Sequence, residues 1–510
     1  MKHYYNIRRD WMKHVFRSMG LIGLLVIFLI GSMAPVAPMS AEAADEEDPF
    51  TRAFWVQAFE DGVKSPEQID QLLADVEAAN MNTIVAQVVR RHDAYFNSSY
   101  LPFTEDPNMT EGFDALQYLI DGAEDKGIEI HAWIVLGPMW HPIYGGAPEA
   151  EEHIYNQFGP DAPADETWVT KDYNDVVANP MQPYLDFGHP DAREHVINMV
   201  KDIVSAYDVD GIHVDYIRYQ EDGKGYNPTS LARFQEETGR TDRPQPNDTE
   251  WIEWKTHQID TLMKRIYLET MNMDMNVDVT AAVLSWGFAD PRENEFTDLD
   301  PVQRAHQNWE MWLQEGYLDF AYVMNYDPEA TPGRPERYDQ WIEYQKDLER
   351  SRGMAIGPAL YMNSIPDSLN QIKRAIEPSP AGNIAEGVSP YVYNVWSNDN
   401  RPFADLLEAL TVPNEDNNYD APFTEQVDPF PTPWKDAPVG HLLGTYSPDL
   451  SGEEVVVTRG QRGREVASGH IDGSGVVGFT DLQPGNYFIH VDGESTRVHV
   501  RNGSVTVFDQ

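Results

Sequence analysis

From Arg52 to about Ala409, short apolar runs alternate with longer stretches whose apolar residues recur every three or four positions. Eight runs read as strands: Ala53–Phe59, Thr83–Val89, Glu129–Leu136, Gly211–Tyr219, Val277–Leu284, Phe320–Tyr326, Met354–Met362 and Val388–Trp396. Val, Ile, Phe, Tyr and Trp dominate most of them, as strands favour. Between them lie amphipathic helices. Ser65-Pro66 supplies an N-cap and a first-turn proline for one whose apolar side is Ile69, Leu72, Leu73 and Val76. Asp114–Lys126 and Asp191–Tyr207 repeat the pattern, the second after the start signal His189-Pro190, and Thr229–Asn272 holds one or two more. Strands that alternate with helices make βαβ units. Eight of them over about 360 residues predict an α/β fold closed into a (β/α)8 TIM barrel.

The pattern changes at both ends. Thr411–Val439 is rich in Pro, Asn and Asp without a period, a linker or extended wrap. From 440 to 510, Glu453–Thr458, Gly475–Thr480, Asn486–Val491 and Thr496–Val500 alternate with glycine-bearing turns, which predicts a small all-β sandwich after the barrel. At the N-terminus, Lys2, Arg8, Arg9, Lys13 and Arg17 precede an apolar run from Leu21 to Met33 and an Ala41-Glu42-Ala43 cleavage pattern. Residues 1–43 therefore read as an export signal, with 44–51 an acidic lead-in and 52–410 the barrel. The apolar run is short for a bilayer span, so the expectation is a protein secreted or held at the cell wall, without stable membrane insertion after cleavage.

Charge and composition narrow the partners. The formal net charge is −47, and without the first 43 residues it is near −50. Such a chain repels nucleic acid and anionic lipid, and it disfavours a strongly anionic polymer unless the cleft is locally basic. A diffuse acidic surface suits high salt, so stability is expected to rise with salt in a denaturation series. With no cysteine, neither disulfides nor thiol chemistry is available.

The chain has no nucleophile elbow, phosphate loop, dinucleotide fingerprint or H-E-x-x-H motif, and no cofactor or metal is implied. Carboxylates, His and Tyr remain. Barrel enzymes act at the C-terminal ends of their strands. There the candidates are Gln87 and Arg90 (strand two), His131 and Trp133 (three), His213, Asp215, Tyr216 and Arg218 (four), Trp286 (five), Asn325, Tyr326 and Asp327 (six), Tyr361 (seven), and Tyr393 and Trp396 (eight). An ionisable residue inside a barrel strand is costly unless it has a partner or a task. A carboxylate among aromatic rings suits the oxocarbenium-like transition state of glycoside hydrolysis. Asp215 is the expected nucleophile or charge stabiliser and Asp327 the acid/base, with Glu60, Asp93 and Glu386 as alternatives for the second role. The other named residues are expected to bind substrate. Arg90 and Arg218 either pair with site carboxylates or hold a substrate carboxylate such as a lactyl group. Two other readings stay open: a non-catalytic glycan-binding or cell-wall scaffold protein, and a metal-assisted deacetylase or esterase built on His131, His213 and Asp215.

Arg52–Val56, Asn82–Arg90, His131-Ala132-Trp133 and above all Tyr207–Tyr216 resemble the bacterial glycosyl-hydrolase-like family ten, the YngK-like group. The resemblance runs from Arg52 to Leu410. It implies a (β/α)8 barrel, export, and hydrolysis of a polysaccharide, for some members peptidoglycan glycan strands stripped of peptide. The family's strand-four Asp falls on Asp215. Many relatives carry a second acidic residue beside it, where this chain has Tyr216. The C-terminal module resembles the prealbumin-like or carboxypeptidase-regulatory-like modules of secreted enzymes.

Overall fold

A computed structural model describes residues 48–141, 146–177, 182–220, 223–413 and 421–510. The export stretch and part of the linker lie outside these residues. Eight parallel strands close into a barrel in sequence order: β1 (Thr51–Val56), β2 (Thr83–Val89), β3 (Glu129–Val135), β4 (Gly211–Asp215), β5 (Asp278–Leu284), β6 (Phe320–Asn325), β7 (Gly353–Pro358) and β8 (Gly387–Val388). The expected α/β barrel is borne out. Period two sorts each strand: Ala53 and Trp55 face the barrel interior, while Phe54 and Val56 pack under the helices.

The helices begin where capping chemistry predicts. Helix α1 (Pro66–Ala78) is capped by Ser65, whose hydroxyl accepts the Gln68 N–H, and it buries Ile69, Leu72, Leu73 and Val76. Helix α2 (Ala115–Glu124) is capped by Asp114, and α3 (Pro190–Ala206) by His189. The long stretch before β5 forms two helices, α4 (Pro228–Thr238) and α5 (Thr249–Met273). Among the described residues no helix is long and apolar enough to cross a membrane.

Several strands are shorter than their expected runs, β1 ending at Val56 and β7 at Pro358, and β4 and β8 fall furthest short. The chain leaves β4 at Asp215, where Tyr216 turns with φ of 56°. It leaves β8 at Val388 and makes a single 3-10 turn at Tyr393–Val395.

The segment 421–439 is a strap across the N-terminal end of the barrel rather than a free linker. Asn80, Arg52 and Asn82 donate hydrogen bonds to the carbonyls of Phe423, Glu425 and Val427. Phe430 and Trp434 pack on Phe320, closing the barrel from below. The Trp434 indole donates to Asp319 at 2.6 Å, and Lys435 Nζ lies 2.6 Å from Asp278 and 3.4 Å from Asp319.

Beyond the strap, seven strands make two sheets. One is β11 (Arg464–His470), β10 (Glu454–Arg459), β13 (Gly485–Val491), β14 (Glu494–Val500). The other is β12 (Val476–Leu482), β9 (Gly440–Thr445), β15 (Val505–Asp509). The module is docked on the helical ring. Arg193 on α3 reaches Asp472 at 2.9 Å in a buried pair, and Arg352 reaches Asp481 at 2.8 Å. Gly478 lies so close to Leu268 on α5 that a Cβ there would sit 2.2 Å from its methyl.

Candidate active site at the barrel mouth

A cleft of about 850 Å³ opens at the C-terminal ends of the strands. Its walls combine Trp55, Phe59, Trp133, Tyr216, Trp286, Phe288, Tyr326, Tyr361 and Tyr391 with six arginines: Arg90, Arg91, Arg218, Arg304, Arg334 and Arg337. Among the described lining residues the carboxylates are Asp215 and Asp300. The cleft lining thus holds more arginines than carboxylates in a chain of net charge −47.

Asp215 is the last residue of β4 and is buried. Its Oδ1 accepts the backbone N–H of Tyr216 at 2.6 Å. Burial pushes its carboxyl above the usual range, and Arg218, the Tyr216 N–H and the Trp133 indole offset this only in part. The left-handed turn at Tyr216 strains a non-glycine residue and is clamped from outside. The Tyr184 hydroxyl bonds the Tyr216 and Arg218 carbonyls at 3.0 and 2.7 Å. Behind Asp215, Tyr326 stacks on Tyr391 with ring centres 5.2 Å apart, and Trp133 meets Trp55 edge-on at 5.0 Å. Phe59, 52% exposed, and Phe288, 70% exposed, stand on the loops after β1 and β5, on opposite sides of an eight-stranded ring. Arg90 lies against the Phe59 ring at 3.6 Å and Arg334 against Phe288 at 4.8 Å.

Of the residues expected to act here, Gln87, Arg90, Trp133, Asp215, Tyr216, Arg218, Trp286, Tyr326 and Tyr361 line the cleft. Gln87 accepts the Ala58 N–H at 2.9 Å, and Arg90 bonds the Ala58 carbonyl and lies 3.6 Å from Asp106. The others lie elsewhere. Asp327 is fully buried, with Arg337 Nη1 donating to both its oxygens and Arg334 at 3.2 Å. Arg337 also bonds the carbonyls of Ser285 and Gly287, so Asp327 holds the β5 loop that presents Trp286 and Phe288 rather than facing substrate. His131 faces the interior but near the bottom. Burial pulls its imidazole down, and Glu129, Asp278 and Asp210 outweigh this and hold it above its usual value. His213 sits midway, bonded to Thr280 at 2.8 Å and packed on Trp55 at 4.5 Å.

The register pairs His131 with Gly211 and Val135 with Asp215. At ~3.3 Å per residue, His131 and Asp215 are therefore about 13 Å apart in height and do not converge on one ion. Asn325 is buried between the inward Met324 and Tyr326 and does not line the cleft. Tyr393 and Trp396 belong to the outer layer, where Tyr393 donates to Asp75 and Trp396 to the Arg401 carbonyl, both at 2.7 Å. None of the alternative acids lines the cleft. Asp93 is bonded to Thr104 and paired with Arg91, Glu386 is paired with Arg350, and Glu60 is exposed.

Sequence reading missed Trp55, Phe59, Arg91, Phe288, Asp300, Arg304, Arg334, Arg337 and Tyr391 as cleft residues. Trp55 was within reach, since period two puts it on the same face as Ala53. Most rings of the long loop after β3 pack that loop. Trp168 stacks on Phe158 at 3.9 Å, and Trp140 bonds the Gly146 carbonyl.

A family model described as Glycosyl hydrolase-like 10 matches residues 51–376. Glycosyl hydrolase YngK of Bacillus subtilis is 24% identical over 325 residues, a stretch covering 59% of this chain and 58% of YngK. Glycosyl hydrolase DigH of Escherichia coli K12 is 22% identical over 318 residues, covering 60% of this chain and 68% of DigH. Among solved structures, the PgaB (BpsB) glycoside hydrolase domain from Bordetella bronchiseptica aligns over 72% of this chain and 100% of its own. Its TM-score is 0.52 at 16% identity, a likeness of fold.

Proposed function

Because the chain belongs to the glycosyl hydrolase-like 10 family, we propose that it hydrolyses O-glycosidic bonds of a polysaccharide outside the cell, with peptidoglycan glycan strands the first substrate to test. One observation carries the reading: a buried carboxyl, Asp215, stands at the end of β4 among aromatic rings that line an open cleft, and burial pushes it above the usual carboxylate range.

That environment fits a general acid better than the nucleophile or charge-stabiliser role expected from sequence. Asp215 gives its proton to the glycosidic oxygen as the bond from that oxygen to the anomeric carbon breaks. Tyr326, Tyr391 and Trp133 keep bulk water from the carboxyl and bound sugars in register. The complementary role falls to Asp300, the other described carboxylate lining the cleft, which lies 3.3 Å from Arg304. In this scheme Asp300 takes a proton from the water that adds to the anomeric carbon, which inverts its configuration.

The test is release of reducing ends from peptide-free peptidoglycan strands, β-glucans, α-glucans and acidic exopolysaccharide, with and without molar salt. Product configuration is read by NMR. Cleavage of one glycan that disappears in Asp215→Asn, with binding retained, supports the reading. Binding without cleavage across the panel makes the protein a glycan scaffold instead.

A further inference from the structure

Five of the six cleft arginines have a carboxylate in the protein. Arg90 lies near Asp106, Arg91 near Asp93, Arg304 near Asp300, and Arg334 and Arg337 near Asp327. Arg218 is the exception among the described residues. It is 8% exposed, no carboxylate lies within ion-pair distance, and its Nη1 has no hydrogen-bond partner. Its guanidinium lies 4.3 Å from the Tyr216 ring and 5.6 Å from the Trp286 ring. These faces stabilise the charge but leave Nη1 without an acceptor. The Tyr184 hydroxyl holds the Arg218 backbone carbonyl at 2.7 Å. A buried guanidinium with an unpartnered Nη1, facing the Asp215 carboxyl across more than ion-pair distance, gains from a second anion bound in the cleft.

We propose that Arg218 is the centre of an anion subsite next to Asp215, and that the sugar seated there against Trp286 carries a carboxylate. The inference rests on the reading of the cleft as a glycan site and deepens it. The planar guanidinium offers paired donors that match a carboxylate edge to edge, which a neutral hydroxyl does not. Two sources supply that chemistry in polysaccharides: an ether-linked lactic acid, as in muramic acid, and the C6 carboxylate of a uronic acid.

The experiment measures binding by calorimetry to full-length Asp215→Asn protein, with two pairs of oligosaccharides. One pair is a peptide-free peptidoglycan fragment and its carboxyl-reduced form; the other is a uronate oligosaccharide and its carboxyl-reduced form. The acidic member of one pair is expected to bind about 10- to 100-fold more tightly than its reduced form, and the pair that discriminates identifies the source. Adding Arg218→Met is expected to erase that ratio, and adding Arg218→Lys to keep part of it. Equal binding of acidic and reduced members, no binding of either acidic glycan, or a ratio undiminished by Arg218→Met overturns the inference. An equal loss for both members in Arg218→Met also overturns it, since that marks a structural role. If Arg218→Met does not fold, the Arg218→Lys variant and the parental ratio still decide. Hydrolysis by the wild-type protein is scored separately, so the enzyme reading and the anion subsite can fail independently.

Discussion

The two ends of the barrel interior both carry charge, and they handle it in opposite ways. At the bottom, Asp278 and Asp319 are met by Lys435 and Trp434 from the strap, and His131 by Glu129. Burial and the like charge of Asp319 push Asp278 up, while Lys435 and His131 counter them. At the mouth, Asp215 accepts one backbone N–H, and no carboxylate lies within ion-pair distance of Arg218. One end is closed by its own chain, and the other is left for a molecule that is not part of it. Charges matched within the protein report on stability, and unmatched ones on function.

The largest effect expected is at the mouth. Asp215→Asn should lower kcat by about 10²–10⁴-fold on the productive glycan, the range for losing a positioned acid, in a reducing-end assay. At the bottom, Lys435→Met should leave kcat unchanged. It should lower the unfolding free energy by about 3–5 kcal/mol in urea, because two buried carboxylates lose their cation. Asp327→Asn sharpens the boundary. If Asp327 is a scaffold for the β5 loop, the variant should unfold earlier by about 1–3 kcal/mol and lose less activity than Asp215→Asn, chiefly in KM. A loss in kcat equal to that of Asp215→Asn would restore it as a catalytic acid.

The smallest effect is electrostatic. Arg218 holds the Asp215 carboxyl down against burial. Removing its charge raises the Asp215 value further, so the acid stays protonated to higher pH. The alkaline limb of kcat/KM in Arg218→Met should therefore move up. A limb that stays put or moves down would separate Asp215 from the limb.

Much of this fold is written in local periodicity. The apolar runs, the Ser65, Asp114 and His189 caps and the alternation in β1 each settle one element without knowledge of the rest. What the sequence hides is height and exit. Period two says that His131 and Asp215 both face inward, but not that they occupy levels four residues apart. An eighth strand extended past Val388 would carry Tyr393 and Trp396 to the mouth. Once the chain leaves the strand the parity lapses, and Tyr391 faces the cleft instead. Asp327 follows the inward Tyr326 at a strand end, yet its partners Arg334 and Arg337 come from the following helix, a pairing no strand pattern announces. The strap has no period because its residues bind one at a time, and β11 offers only Val466 and Ala467 as apolar positions.

The measurement that bears most directly on this account pairs turnover with stability in Asp215→Asn. A buried carboxyl pushed up by burial costs the folded state free energy when ionised, and an amide does not. The account predicts a variant at least as stable to urea at pH 7 as the wild type, able to bind the glycan and unable to cleave it. A variant that unfolds several kcal/mol earlier while still cleaving at the wild-type rate would make Asp215 a structural residue and remove the mouth as the active site.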